Sequence, residues 1–133
     1  MLLAEVIFNS IDIKLNILRG ENIMKDFIEY LSQQFEAGRE EIAALEAEGR
    51  QDEANFAKAR NNIYDVCRTV TNALADRPGA GTAAVKAQFE RLRAAWGAAL
   101  DKAREHGDAR STVIEEKKLE ALENVIAHFP EDK

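Results

Sequence analysis

The stretch RNNIYD, residues 60–65, gathers polar and ionisable side chains in a segment whose flanks read as helix. Asn61 and Asn62 offer amides, Tyr64 a phenol and Asp65 a carboxylate. If the four converge, such a set can hydrogen-bond a small polar molecule or hold a proton beside it. Two adjacent asparagines inside a helix each cost roughly half a kcal/mol relative to alanine, so their presence asks for a compensating role. Facing inward, Asn61, Asn62, Tyr64 and Asp65 would form a buried polar network or line a pocket. Facing outward, they would present a partner surface. Polar clusters fix helix register more often than they bind molecules, and a local structural role is the first expectation.

A second candidate is RPGAGTAA at 77–84, where a glycine-rich loop opens onto a helix N-terminus. Free N–H groups there could hold an anion, with Arg77 and Thr82 as its contacts. The stretch lacks the lysine and hydroxyl of a GxxxxGK[ST] loop, and no strand precedes it. Di-metal bundles use Glu-x-x-His, but Ala103 and Val125 stand three residues before His106 and His128. Each histidine falls near a predicted helix C-terminus, where an imidazolium gains from the helix dipole. Glu36, Glu40, Glu41, Glu46 and Glu48 miss the ExxE–ExxD spacing of metal-dependent all-α phosphohydrolases and read as a solvated face. Cys67, beside Val66 and one turn before Val70, reads as an inert buried thiol. The residue patterns assign no catalytic residue, cofactor or metal, and an enzyme is the less expected class.

The chain has 133 residues, 46% of them hydrophobic and 32% charged, and a net charge of −6. That is a globular profile, and it disfavours nucleic acid, whose backbone is held by a basic surface absent from this composition. A single cysteine cannot form an intramolecular disulfide and suits a reducing compartment. No apolar run reaches membrane-spanning length, and the N-terminus carries Glu5 and Asp12 where a signal peptide needs a basic leader. The expected location is cytoplasmic, with no membrane partner.

The elements that would position these groups begin at Met24. Residues 1–23 hold five isoleucines and one alanine, whereas residues 24–133 hold five isoleucines and 21 alanines. Such a switch is what AT-rich and then GC-rich DNA would spell. Arg19-Gly20-Glu21 can be encoded as AGG GGA GAA, a purine-rich ribosome-binding sequence ahead of a start at Met24. Residues 1–23 are therefore expected to be either a translated leader or an apolar N-terminal arm, in which SIDIKLNIL alternates like a strand. Residues 24–133 form the helical domain.

From Met24 onward the apolar spacing is helical. Met24, Ile28, Leu31, Phe35, Gly38, Ile42 and Leu45 make one stripe; Phe56, Ala59, Ile63, Val66, Val70 and Leu74 a second; Val85, Phe89, Leu92, Trp96, Ala99 and Ala103 a third; Leu119, Leu122, Ile126 and Phe129 a fourth. Gly49, Pro78, the EHGD turn and Pro130 punctuate them, with Asp52, Thr82 and Thr112 or Asp108 as candidate caps. Short connections make neighbours antiparallel. The predicted fold is all-α: an antiparallel four-helix bundle of two helical hairpins, about 24–48/52–75 and 82–105/110–129, with 1–23 an appendage. Trp96, among small neighbours, is expected to anchor the core; exposed, it would be an interface hot spot.

Long amphipathic seams without a reactive constellation point to a small helical protein-interaction module, with a protein partner or a second copy as its target. The alternative is a ligand-binding or enzymatic bundle with a polar pocket around Tyr64.

Overall fold

A computed structural model describes the backbone of residues 2–75, 77 and 81–130, and their side chains apart from 2–9, 12–13 and 16–22. Four helices account for almost all of it: α1 (Leu2–Ala47), α2 (Gln51–Leu74), α3 (Gly81–Glu105) and α4 (Ala109–His128). No strand occurs among the described residues. Both expected hairpins form, with helix ends close to the predicted ones except the start of α1, which lies at Leu2 and not near Met24.

The turns explain those ends. Gly49 takes a φ of 74° and Gly107 a φ of 66°, in the left-handed region where a side chain would be strained. Around each, paired hydrogen bonds satisfy the last carbonyls of the helix: Arg50 N to Leu45 O with Gly49 N to Glu46 O, and Asp108 N to Ala103 O with Gly107 N to Arg104 O. At the other end of the molecule Phe129 turns extended before Pro130 and closes α4.

Two local expectations change, and a third is decided between its two alternatives. Helix α2 begins at Gln51 behind Arg50, which makes no side-chain cap, so Asp52 lies in the first turn and opposes the helix dipole from there. Helix α3 begins at Gly81, which puts Thr82 inside its first turn. Asp108, not Thr112, caps α4: its carboxylate accepts from Ser111 N at 3.0 Å and Ser111 Oγ at 2.8 Å.

Hydrogen bonds from the Ser111 amide and hydroxyl hold the Asp108 carboxyl below its ordinary range, and those from Arg93 do the same for Glu123. A carboxyl depressed by folding contributes stability above its unfolded pKa, near 4, and loses it as pH falls through the folded value. Acid should therefore weaken the fold through both groups. Asp108→Asn keeps an acceptor for Ser111 without titrating. Its unfolding midpoint, followed by circular dichroism, should fall less than the parent's over the same acid range.

The bundle core combines Met24, Phe27 and Leu31 of α1, Ile63, Tyr64 and Cys67 of α2, Val85 and Phe89 of α3, and Ala121, Leu122 and Val125 of α4. Helix α2 packs against all three others, and α4 packs on α2 and α3. Arg60 meets Glu120 and Tyr64 meets Asn124, so α2 and α4 run parallel with a constant offset. Both hairpins are antiparallel, and the α2–α4 diagonal joins them. At one end Phe27, Phe89 and Phe129 bring α1, α3 and α4 together.

Residues 2–23 continue α1 as helix rather than forming a strand. The segment has no proline, and extending an established helix adds one hydrogen bond per residue without a new nucleus. Its described side chains, Ser10, Ile11, Lys14, Leu15 and Ile23, are all exposed, and burial begins at Met24.

Candidate functional site

Beyond the aromatic end, α1 and α4 separate over the surface of α2. The gap is a cleft of about 220 Å³, lined by Gln34, Gly38 and Glu41 of α1, Arg60, Asn61 and Tyr64 of α2, and Glu120 and Asn124 of α4. Its depth is graded: Glu41, Glu120 and Asn124 are exposed at the rim, Gln34 and Arg60 half-buried, and Asn61 and Tyr64 buried at the floor.

Gly38 allows this floor. A Cβ at position 38 would overlap the Oδ1 and Cγ atoms of Asn61, so only glycine lets α1 lie this close to the amide. Asn61 is 5% exposed. Its Oδ1 is fully buried and has no hydrogen-bond partner. Such an atom costs about 1–3 kcal/mol of desolvation that nothing in the chain offsets. Thr71, the other buried polar residue of α2, is satisfied: its hydroxyl donates to Cys67 O at 2.7 Å.

At the rim, the Arg60 guanidinium bonds Glu41 and lies 3.9 Å from Glu120, whose second oxygen is 3.5 Å from Lys117. The Asn124 amide approaches the Tyr64 hydroxyl at 3.5 Å, too long for a strong bond, which leaves the phenol available to another partner. One turn further on, Tyr30 stacks on His128 with ring centroids 4.2 Å apart. Burial, with the neighbouring Tyr64 adding to it, pushes the Tyr30 phenol up to about 12. His128 Nδ1 lies 2.8 Å from Asn124 O in the last turn of α4.

The four residues singled out at 61–65 are thus divided. Asn61 and Tyr64 share the cleft. Asn62 is exposed, and Asp65 pairs with Arg68 at 2.7 Å on the opposite flank. There Arg68 also covers the Phe35 ring, 4.8 Å from its centroid. Arg77 and Thr82 are not brought together in a described cleft: Arg77 is exposed, while Thr82 edges a separate groove between α3 and α4 floored by Phe89, Ile126 and Phe129. The glycine loop at 78–80 lies outside the described residues. Trp96 is half-buried, with one side on the core and Lys118 Nζ 5.0 Å from its ring centroid. Cys67 is buried, and desolvation pushes its thiol up to about 12. No group of three or more potential metal ligands occurs among the described residues.

Gln34, Gly38, Glu41, Arg60, Glu120 and Asn124 were not singled out from the sequence as site residues. Only Gly38 carried a signal, as a glycine occupying an apolar-stripe position. Comparison of the chain with protein-family models, curated proteins and solved structures gave no match.

Proposed function

We propose that this chain is a small cytoplasmic protein-association module that pairs with a second copy of itself through the first half of α1. One observation carries this reading. Ile11, Leu15 and Ile23, at 52%, 46% and 47% exposed, are the large apolar side chains left exposed among the described residues, and all precede Met24. Fully burying a residue of this kind contributes about 1.5–3 kcal/mol, which gives such a face reason to find a partner.

Charge and geometry favour a second copy. Residues 2–23 are near balance, with Lys14 and Arg19 against Glu5, Asp12 and Glu21, so most of the net charge of −6 belongs to the rest of the chain. Antiparallel pairing about the middle of this segment sets Ile11 of one copy against Leu15 of the other. It also places the two acidic bundles at opposite ends of a helix about 33 Å long, well beyond a Debye length of about 8 Å. No helix among the described residues is long and apolar enough to cross a membrane. The buried, unpaired Cys67 supports a reducing compartment, and the acidic composition argues against nucleic acid.

Sedimentation velocity tests the pairing. The full chain should sediment as a dimer. Chains that begin at Met24 or carry Ile11→Glu with Leu15→Glu should be monomeric while the bundle stays folded, with any loss in unfolding midpoint no larger than the lost association supplies. A full chain that stays monomeric at its highest soluble concentration, or endogenous protein whose intact mass begins at Met24, would overturn the proposal.

A further inference from the structure

We infer that the groove between α3 and α4 binds a small aliphatic monocarboxylate, its chain laid over Phe89, Ile126 and Phe129 and its carboxylate held by Lys86. The cleft between α1 and α4 offers no comparable site. There Asn61 Oδ1 packs against Gly38, and Arg60, Glu41, Glu120 and Lys117 are paired with one another. The α3–α4 groove measures about 650 Å³, inside the range of about 300–1,000 Å³ usual for small-molecule sites. On the α3 side Ala83 and Ala87 project only methyl groups into its lining. Just past Glu90 and Ile126, Arg93 bridges α3 to Glu123 of α4 at 2.7 Å and closes the groove.

The floor is preformed. Phe129 stands edge-on to both Phe89 and Phe27, so its ring is held in place and does not fall into the groove. Phe129 and Ile126 are only half-buried, which leaves apolar surface for a hydrocarbon chain to take out of water. Charge selects the head group. Glu90 pairs with Arg93 at 3.4 Å, which leaves Lys86, exposed and without an ion pair among the described residues, as the free charge of the lining. Thr82, one turn before Lys86 on the same side of α3, adds a hydroxyl donor. One ammonium and one hydroxyl suit a single carboxylate. A phosphate would ask for more donors, and a cationic head would meet Lys86 as a like charge. From Thr82 to Glu90 the helix rises about 12 Å, room for a short chain beyond the carboxylate.

The test is a titration of the full-length protein with octanoate, read by amide NMR, with octanol, octylammonium, acetate and sodium chloride run beside it. The expected result is a saturable shift confined to Ala83, Lys86, Ala87, Phe89, Ile126 and Phe129. Octanol should bind several-fold more weakly at the same residues, and the other three should leave them unmoved. Lys86→Gln, at an exposed position, should reduce octanoate to the level of octanol and leave octanol unchanged. Ala87→Phe, also exposed, should block both. No saturable shift, an equal response to octylammonium, or shifts centred on Ile11, Leu15 and Ile23 would overturn the inference. Octanoate binding gained only when residues 131–133 are removed would mean that the chain's own C-terminal carboxylates fill the site, and would overturn it as well. The chain carrying Ile11→Glu with Leu15→Glu should bind octanoate equally, so failure of the pairing and failure of this site are read apart.

Discussion

Replacing Phe89 with alanine should lower the unfolding free energy by about 3–5 kcal/mol, the usual loss when a buried phenyl ring is removed. Phe89 is 1% exposed and meets Phe129 edge-on at 5.8 Å and Phe27 at 6.2 Å, while Phe27 and Phe129 are themselves edge-on at 5.2 Å. Aromatic pairs of this geometry contribute about 0.5–1.5 kcal/mol beyond the area they bury. Phe89 meets Phe129 within its own hairpin and Phe27 across to the other, so the loss falls on both contacts. For a chain of this size it would remove a large share of a total stability of about 5–15 kcal/mol. Urea denaturation followed by circular dichroism is the check, with a lower midpoint and an unchanged slope as the expected pattern. The same change at half-buried Phe129 should cost less. A loss below about 1 kcal/mol at Phe89 would show that the aromatic end does not hold the hairpins together.

The helix ends were legible because their causes are local. Gly49 and Gly107 reach the left-handed region, and Pro130 forces the preceding residue out of the helix. The buried face of α2 was less legible. Of its expected apolar stripe only Ile63 is buried, with Phe56, Ala59, Val66, Val70 and Leu74 half-buried, while Ala54, Ala57, Asn61, Tyr64, Cys67 and Thr71 are buried beside it. Helix α2 touches three neighbours, so burial wraps around it, and a single hydrophobic stripe marks only part of that surface. Asn61 and Tyr64 were visible as candidates because polar residues stood out within a helical pattern. Their partners were not visible, because nothing in the local sequence of α2 or α4 sets the offset that puts Arg60 beside Glu120 and Tyr64 beside Asn124. That offset comes from how the two hairpins dock. The direction of residues 2–23 was hidden for a different reason: alternation over a short span resembles a strand until the helix it continues is known.

Gly38→Ala should destabilise the parent protein and stabilise the Asn61→Ala variant, a reversal of sign that isolates the contact under the cleft. In an ordinary helix position the substitution is favourable by about 0.5–1 kcal/mol, because glycine loses more backbone freedom on folding. Here the new Cβ would overlap both Cγ and Oδ1 of Asn61. Turning the amide about its terminal bond does not clear Cγ, so the whole side chain must leave its χ1 well or the helices must part. Overpacking of this kind costs about 1–3 kcal/mol and outweighs the helical gain. With Asn61 cut back to alanine, neither obstructing atom remains and the gain alone survives. Unfolding free energies of the parent, the two single variants and the double variant give the coupling directly. Equal destabilisation by Gly38→Ala in both backgrounds would show that the glycine answers to something other than Asn61.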